Sequence, residues 1–357
     1  MAVDGRAFAS PAGGVRRYVS ELYAALGALD PRLQVDAIGA IDGQALPGPC
    51  QARHEWPSPP TNLGRHSAGL PMALATGRYV VYHAPAYVAP TWGRVPVVLS
   101  VHDISYASRP EWYPYRRDAL RRWFYRRSVD RARLVLVPST YTADEIRRVY
   151  GVPASRLRVV PLAPSASFAT GPLVPPDARS RVLLHVGDLH ARRDLEVAVA
   201  VLARLGAAAE PWRLVLIGRD RGSLTGVRAA ARAAGIGDRI DYLETQSEEQ
   251  LQAWYRRAWC LLYPSRYEGF GLPVAEAMSA GLPVVAADAS SVPEVLSGAG
   301  SLFPPGDHEA ALAAVRALED PDTYAARQAA GRERAGSLTW ERTAQLTRAV
   351  LDEAAGG

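Results

Sequence analysis

The sequence predicts an α/β protein with two doubly wound domains, each built on a parallel sheet that helices cover on both faces. Short apolar or β-branched runs alternate with helical patterns through the second half of the chain, and the first half repeats this alternation less clearly. A proline-rich stretch, 161–180, separates the two halves. Alternating strands and helices favour parallel sheets, whose strands lack polar alternation because both of their faces are buried.

The first half starts this pattern at its second residue. Its predicted strands are Ala2–Asp4, Val35–Ile38, Tyr79–Tyr82, Val97–Val101, Leu134–Val137 and Arg158–Val160. Its predicted helices are Val15–Ala28, about 116–130 and Thr142–Tyr150. Thr142 and Glu145 have the spacing of a capping box, so we expect Thr142 to cap the third helix.

The prolines between the halves cannot continue a helix, so we place the domain junction there. We expect a first domain at 1–165, a linker at 166–180, a second domain at 181–338 and a C-terminal helix at 339–357. Whether that helix crosses back to the first domain is left open.

The second domain has the clearer pattern. Its predicted strands are Val182–Val186, Leu214–Ile217, Ile240–Leu243, Trp259–Tyr263 and Pro283–Ala287. Its predicted helices lie near 194–206, 223–234, 247–258 and 274–281. Two such domains facing each other would leave an interdomain cleft at the carboxyl ends of their strands, where open α/β sheets bind ligands.

The composition excludes several kinds of chemistry. The chain has no lysine, so its 41 basic residues are all arginine, and any mechanism that needs a lysine amine, such as pyridoxal phosphate chemistry, is excluded. Cys50 and Cys260 are too few for a disulfide framework and fit a reducing compartment. The charged start, Met1–Arg6, does not fit a signal peptide, and no apolar run reaches the ~18–20 residues of a membrane span. We therefore expect a cytoplasmic protein.

The motif from Glu268 to Glu276 directly follows a predicted strand and carries the strongest signal for function. Gly269 and Gly271 allow the backbone to approach a ligand closely, and Pro273 suits the first position of a helix. The N–H groups at that helix start would form an anion site, and Glu276 on the first turn would accept hydrogen bonds from hydroxyls of the same ligand. A phosphate beside neutral hydroxyls is typical of a nucleotide.

This segment resembles the signature of glycosyltransferase family 4, whose members are retaining nucleotide-sugar enzymes of GT-B fold with two facing Rossmann-like domains. The resemblance implies that Glu268 contacts hydroxyls of the donor sugar at the catalytic centre, and that Glu276 binds the ribose hydroxyls. It also implies that backbone N–H groups in the segment Gly269-Phe270-Gly271-Leu272 bind the sugar and the diphosphate.

A second match to the family lies at Val186–Asp194, where the family has a strand, a loop and a helix with an Arg-Lys-Asn triplet. The triplet here is Arg192-Arg193-Asp194, and Gly187 ends the strand. The resemblance implies that Arg192 and Arg193 hold the donor diphosphate, with a guanidinium replacing the family's ammonium at 193. Positive charge is unfavourable at a helix start, which itself favours an anionic partner.

The first domain also carries two matches to the family. His102 and Asp103 match the family's His-Asp pair, which implies that His102 is catalytic and lies near the reacting sugar. Gly13 and Gly14 resemble the glycine loop that closes over the donor phosphates. Because a lone histidine is more often a structural hydrogen-bonding residue, and two glycines before a helix indicate only a turn, both assignments depend on position.

Metal and membrane contacts are judged from residue spacing. No His, Cys or carboxylate cluster has metal-ligand spacing, so we expect neither a metal nor a cofactor besides the nucleotide-sugar substrate. The arginine- and aromatic-rich stretch Trp112–Arg133 has two interpretations: a surface that contacts anionic lipid or an acidic acceptor, or a partly buried helix with snorkelling arginines. Arg116 and Arg127 interrupt its apolar face. Nucleic acid is not expected, because the charge is local and no recognition motif accompanies it.

We therefore expect a mannosyltransferase-like enzyme that transfers a hexosyl group from a nucleotide diphosphate sugar, GDP-mannose in the first instance, to a glycan or lipid-linked acceptor in polysaccharide biosynthesis. The first domain would provide the acceptor surface and His102. Three alternatives stay open: a UDP-sugar-dependent transferase, a sugar-nucleotide epimerase of the same fold, and a non-catalytic nucleotide-sugar-binding subunit. Peripheral contact with the inner face of the cell membrane also stays open.

Overall fold

The computed structural model describes residues 1–41, 43–58, 61–113, 118–206 and 211–356. The chain divides into two compact α/β units. The first unit combines Met1–Leu162 with Trp340–Gly357, and the second is Ala163–Thr339.

Within the described residues, each unit contains one sheet whose strand pairs are all parallel. The first sheet consists of β1 (Ala2–Asp4), β2 (Val35–Ile38), β3 (Cys50–Arg53), β4 (Tyr82–Ala84), β5 (Val97–Ser100), β6 (Leu134–Val137) and β7 (Leu157–Val159). Its strand order is β3-β2-β1-β4-β5-β6-β7. The second sheet consists of β8 (Val182–Val186), β9 (Arg213–Ile217), β10 (Ile240–Leu243), β11 (Cys260–Tyr263), β12 (Val284–Ala287) and β13 (Ser301–Phe303). Its strand order is β10-β9-β8-β11-β12-β13.

Helices connect these strands. They are α1 (Gly13–Leu29), α2 (Asn62–Gly64), α3 (Leu70–Thr76), α4 (Ser105–Ser108), α5 (Ala119–Arg131), α6 (Thr140–Tyr150), α7 (Leu195–Arg204), α8 (Leu224–Ala233), α9 (Glu248–Arg257), α10 (Leu272–Ser279), α11 (Val292–Leu296), α12 (His308–Ala317), α13 (Pro321–Gly336) and α14 (Trp340–Gly356). A π-helical turn, Arg65–Gly69, joins α2 to α3. Within the described ranges, no helix combines the length and the apolar character that a membrane span requires.

Both sheets are buried on two faces, as parallel sheets require. Every residue of β5, β6, β11 and β12 is buried. In the second unit, Val201 and Leu202 of α7 belong to the same apolar cluster as Leu214 and Leu216 of β9. In the first unit, α14 covers one sheet face with Val350, Leu351 and Ala354. The predicted α/β class with parallel sheets is therefore confirmed.

Several local predictions differ from the structure. The strand expected at Tyr79–Tyr82 begins at Tyr82, and the N-cap of α6 is Ser139 rather than Thr142, because the Ser139 hydroxyl accepts a hydrogen bond from the Thr142 N–H at 3.1 Å. The helix expected at about 116–130 is α5, which begins at Ala119, while residues 116 and 117 lie outside the described residues.

The segment 166–180, expected to be a linker, packs on the second unit. The buried guanidinium of Arg179 donates hydrogen bonds to the carbonyl oxygens of Tyr255, Ala258 and Gly281, at 3.2, 2.8 and 3.0 Å. Phe168 packs edge-to-face on the Tyr255 ring, with 5.5 Å between the ring centroids. Its prolines stop a helix, but its side chains bind to one unit.

Candidate active site

The second sheet changes direction between β8 and β11, because the chain adds β9 and β10 on one side and β12 and β13 on the other. Ligands of open α/β sheets bind outside the carboxyl ends of strands at such a point. The segment after β8 contains Gly187, Arg192 and Arg193, and the segment after β11 contains Glu268. Sheet topology therefore brings together residues that are distant in sequence.

The segment after β8 is shaped around the side chain of Arg193. Gly187 has a φ of +134°, and a Cβ atom built on it would lie 2.9 Å from Nη2 of Arg193. A side chain at 187 would therefore collide with the guanidinium and strain the backbone. Ala191–Arg193 forms one 3-10 turn, after which Asp194 takes a left-handed conformation and α7 begins. Arg192 is partly exposed, whereas Arg193 is buried.

The segment after β11 turns into α10 through Gly271, whose φ of +95° is in the left-handed region. Among the described residues, no acceptor is hydrogen-bonded to the backbone N–H groups of Phe270, Gly271 and Leu272. N–H groups without acceptors at a helix start attract anions, since the helix dipole adds positive potential there. This helix start is therefore a candidate phosphate site.

The Glu268 carboxylate is held from three sides. Its Oε1 accepts hydrogen bonds from the Tyr263 hydroxyl at 2.9 Å and from the Ser265 hydroxyl at 2.6 Å. Arg193 forms an ion pair with the same oxygen and also donates to the Tyr263 hydroxyl. The Glu268 N–H donates to Oγ of Ser290, in the segment after the neighbouring strand β12. These contacts fix the orientation of the Glu268 side chain, and the residue as a whole is only 5% exposed.

The guanidinium of Arg193 is thus turned toward Glu268, and its carbon lies 5.2 Å from the centroid of the Tyr263 ring. His185 stacks on the ring of Tyr263, with 5.5 Å between the two ring centroids. Burial, and secondarily the charge of Arg193, lower the pKa of His185 to about 3. A neutral imidazole therefore lies beside the buried ion pair.

Glu276 lies on α10 and is also buried, at 3% exposure. Its Oε2 accepts a hydrogen bond from the Tyr255 hydroxyl at 2.9 Å. Tyr255, Tyr263 and Ser265 were not identified from the sequence. Tyr263 and Ser265 could have been found from the sequence. Tyr263 ends a buried strand, Ser265 follows it by two positions, and both hydroxyl groups lie within five residues of Glu268.

In the first unit, His102 follows β5 and its Nε2 lies 2.9 Å from the carbonyl oxygen of Pro85, which follows the adjacent strand β4. Because a carbonyl only accepts, Nε2 carries the proton and Nδ1 of the neutral ring is an acceptor. The ring lies edge-to-face against Tyr18, with a centroid distance of 4.6 Å, and against Tyr87, at 5.9 Å. Burial lowers the pKa of His102. The ring is therefore neutral at pH 7.

Tyr18 links His102 to a chain of buried hydrogen bonds. Its hydroxyl lies 2.9 Å from Oγ of Ser100, which lies 2.9 Å from Nε2 of His83. Nδ1 of His83 lies 2.8 Å from the Tyr23 hydroxyl. Since α1 provides both tyrosines, this chain fixes α1 against β4 and β5.

Gly13 and Gly14 are exposed and form the first residues of that same helix. A Cβ atom at either position would meet nothing within 4 Å. The structure thus places His102 beside Tyr18, one turn beyond the two glycines. It places Gly187, Arg193 and Glu268 in mutual proximity in the second unit. In the described part of the chain, no group of three or more His, Cys, Asp or Glu side chains is arranged to hold a metal ion.

Comparisons with known proteins agree with these features. The family model described as "Glycosyl transferases group 1" matches residues 174–334, and that described as "Glycosyltransferase Family 4" matches residues 12–163. The O-antigen chain mannosyltransferase B of Escherichia coli is 30% identical over 282 residues, which cover 75% of this chain and 73% of the relative. The chain belongs to glycosyltransferase family 4. The family membership expected from the sequence is confirmed.

Solved structures show the fold of this family 4 chain. The sucrose-phosphate synthase of Thermosynechococcus elongatus superposes with a TM-score of 0.79 at 22% identity, covering 99% of this chain and 98% of that chain. Alr3699/HepE of Anabaena, in complex with UDP and glucose, superposes with a TM-score of 0.74 at 17% identity, covering 98% of both chains. The chain is thus a glycosyltransferase with the α/β units of the GT-B fold.

Proposed function

We propose that this family 4 enzyme transfers a hexosyl group, with retention of anomeric configuration and without a metal ion, from a nucleotide diphosphate sugar to a glycan or lipid-linked acceptor. The observation that carries the proposal is the arrangement around α10. Two buried carboxylates, Glu268 and Glu276, flank a helix start whose N–H groups at 270–272 have no acceptor among the described residues. Carboxylates suit sugar and ribose hydroxyls, and N–H groups suit phosphate oxygens.

The reaction needs stabilisation of a departing diphosphate. The bond between the sugar C1 and the phosphate oxygen breaks with its electron pair remaining on the diphosphate. The oxygen of an acceptor hydroxyl forms the new bond to C1, and its proton passes to an oxygen of the departing diphosphate. Arg192, partly exposed after β8, and the N–H groups of Phe270, Gly271 and Leu272 supply positive charge for that leaving group. Preorganised charge of this kind is usually the largest contribution to catalysis. Because it comes from the chain itself, we propose metal independence.

Glu268 and Glu276 would bind neutral parts of the donor. We assign the sugar hydroxyls to Glu268 and the ribose hydroxyls to Glu276. Arg193 adds positive charge beside the diphosphate and orients Glu268 through their ion pair. Gly187 and Gly269 have no side chains that would obstruct the diphosphate or Glu268. The hydroxyl of Tyr263 fixes the carboxylate of Glu268, and the hydroxyl of Tyr255 fixes that of Glu276.

We assign the acceptor to the first unit, where His102 acts on the reacting sugar and Gly13 and Gly14 allow α1 to approach the donor phosphates. The neutral His102 ring, with Nε2–H donated to Pro85, leaves Nδ1 as a hydrogen-bond acceptor for a sugar hydroxyl. We also propose a cytoplasmic location, which the free cysteines Cys50 and Cys260 support.

GDP-mannose is the donor we propose first, supported by the likeness to an O-antigen chain mannosyltransferase. A UDP sugar is the second candidate, because Alr3699/HepE, similar in fold, was solved with UDP and glucose. Thermal-shift measurements with GDP, UDP, ADP and dTDP would decide between them, since only the matching nucleotide should raise the melting temperature of the full chain.

The reaction itself is tested with the matching nucleotide sugar and a panel of glycan and lipid-linked acceptors. We expect a product with the anomeric configuration of the donor by NMR, and unchanged turnover in excess EDTA. An inverted product, or activity lost with EDTA and restored by a divalent cation, would contradict the proposal. Conversion of the donor to an isomeric nucleotide sugar without acceptor would indicate an epimerase instead.

A further inference from the structure

The first unit carries exposed tryptophans beside arginines that have no acidic partner in the described part of the chain. Trp92 is 45% exposed and Trp123 is 52% exposed. Arg94 and Arg127 are exposed, and Arg131 is partly so. Among the described residues, no carboxylate forms an ion pair with any of these three arginines. We refer to the five residues together as the arginine–tryptophan surface.

Contacts between side chains and backbone show that the surface is continuous. Nη2 of Arg127 lies 3.4 Å from the carbonyl oxygen of Thr91, next to Trp92, and Trp123 lies one helical turn before Arg127 on α5. Nη2 of Arg131 donates to the carbonyl oxygen of Gly93 at 2.7 Å. Phe124 on α5 is buried, whereas the neighbouring Trp123 is half exposed, so Trp123 faces solvent.

Trp92 is held rigidly at this surface, because its Nε1 donates to the carbonyl oxygen of Ser67 at 2.8 Å. Beside it lies a groove of about 560 Å³ between α3 and the segment before β5. The groove is lined by apolar residues and by two arginines. These residues include Pro71, Leu74, Ala75, Pro90, Arg94 and Arg131.

The charge of this surface lacks compensation within the described residues. Burial and the neighbouring charge of Arg127 lower the pKa of Arg131. The acidic residues of α5 and its N-cap are engaged elsewhere, Asp130 with Arg126 at 3.0 Å and Asp118 with Arg121 at 3.5 Å. Arginines that repel one another around an apolar groove are stabilised by an anionic partner that also accepts apolar side chains.

We propose that the arginine–tryptophan surface binds the anionic surface of a lipid bilayer. Tryptophan is enriched where a protein meets the headgroup region, and arginine extends its charge to lipid phosphates while its stem lies on apolar surface. A nucleic acid would stack on the tryptophans and pair with the arginines, but it would gain nothing from a groove lined with proline, leucine and alanine. The proposal goes beyond the transfer reaction, because none of these residues belongs to the donor site.

The test is co-sedimentation of the full chain with vesicles of phosphatidylcholine alone or mixed with phosphatidylglycerol. We expect binding only to the anionic vesicles. Each arginine near an anionic leaflet contributes about fivefold to partitioning, so Arg94→Gln/Arg127→Gln should bind about 25-fold more weakly. The matched control is Arg228→Gln/Arg232→Gln on α8 of the second unit, which removes the same charge from exposed positions and should bind like the wild type.

Tryptophan substitution separates a bilayer from other polyanions. High salt screens the charge of the arginines, so the binding that remains comes from apolar contacts. Under these conditions Trp92→Ala/Trp123→Ala should bind vesicles more weakly than the wild type, and binding close to that of the wild type would overturn the proposal. Equal losses in the R94Q/R127Q variant and the control would also overturn it. A third outcome would overturn the proposal as well. In it, single-stranded RNA releases the protein from vesicles, and the tryptophan variant binds that RNA as tightly as the wild type does. Donor hydrolysis without vesicles should be unchanged in every variant, so failure of the transferase proposal is detected separately.

Discussion

The guanidinium of Arg193 and the carboxylate of Glu268 form an ion pair inside the second unit, with only 8% and 7% of the two side chains exposed. The pair exists because β8 and β11 are adjacent in the sheet, although five labelled elements separate them in sequence: α7, β9, α8, β10 and α9. Removing one partner of a buried pair leaves the other charge without compensation, which costs far more than the pair contributes.

Arg193→Ala should therefore lower the free energy of unfolding by about 3–5 kcal/mol, and Glu268→Ala by a similar amount. The double variant should lose much less than the sum of the single losses, because no lone charge remains. Urea unfolding of the four proteins measures this coupling. Arg192→Ala is the matched control, since its side chain is partly exposed, and should change stability by about 1 kcal/mol or less. Additive single losses would mean that the two residues do not pair in solution.

Donor binding should depend on Arg192 and Glu276. Each is proposed to make a charge-assisted hydrogen bond worth about 1.5–3 kcal/mol, so Arg192→Ala or Glu276→Ala should weaken nucleoside diphosphate binding about 10- to 100-fold. Calorimetric titration with the nucleotide selected by thermal shift measures the change, and Arg228→Ala on α8 is the control. If both variants bind as tightly as the wild type, the site is wrongly assigned.

His102 should affect turnover rather than donor binding. His102→Ala is expected to lower kcat while leaving the nucleoside diphosphate Kd unchanged, because we assign His102 to the reacting sugar, whereas the groups proposed to bind the diphosphate and the ribose belong to the second unit. Burial lowers the pKa of His102 from its ordinary value of 6.5, so the neutral form persists below that pH. Activity that requires this form should decline only on the acid side of pH 6.5. An unchanged kcat, or a decline that begins above pH 7, would contradict the catalytic assignment.

Acid should destabilise both units through their buried histidines. Burial lowers the pKa of His83 and His185 to about 3 and that of His66 to about 4. These groups stay neutral in the folded chain but take up protons in the unfolded chain below pH 6.5, so stability is present above that pH and is lost as pH falls. Each contributes a slope of about 1.4 kcal/mol per pH unit.

Urea unfolding between pH 6.5 and 4.5 measures these slopes. His185→Phe should flatten the pH dependence of the second unit, and His83→Phe that of the first. A slope in both variants that equals that of the wild type would mean that the buried rings do not determine acid sensitivity.

The core strands could be predicted because burial on both faces leaves an unbroken apolar run, as in Val97–Ser100 and Leu134–Val137. The edge strand Cys50–Arg53 escaped prediction for the opposite reason, since its last three residues are exposed and polar or small. The strand Ser301–Phe303 is short and partly exposed. Strands at sheet edges are formed by pairing with a neighbour, which a single sequence does not display.

The candidate site was predictable as a set of motifs but not as a set of contacts. The resemblance to family 4 identified Arg193 and Glu268 separately, as groups for the diphosphate and for the sugar. Their ion pair depends on the adjacency of β8 and β11 and on the hydroxyls of Tyr263 and Ser265, which turn the carboxylate toward Arg193. Contacts between residues that are distant in sequence depend on the order of strands in the sheet, which local sequence patterns do not reveal.

The path of the chain has a consequence for synthesis on the ribosome. The second unit is one continuous segment, Ala163–Thr339, so it can complete its sheet while translation continues. The first unit cannot, because its apolar side chains at Val81, Val98 and Leu136 are covered by α14, which is translated after the whole second unit. The nascent chain must therefore keep a sheet face exposed until α14 emerges, and a chain stopped at Thr339 would retain that face permanently.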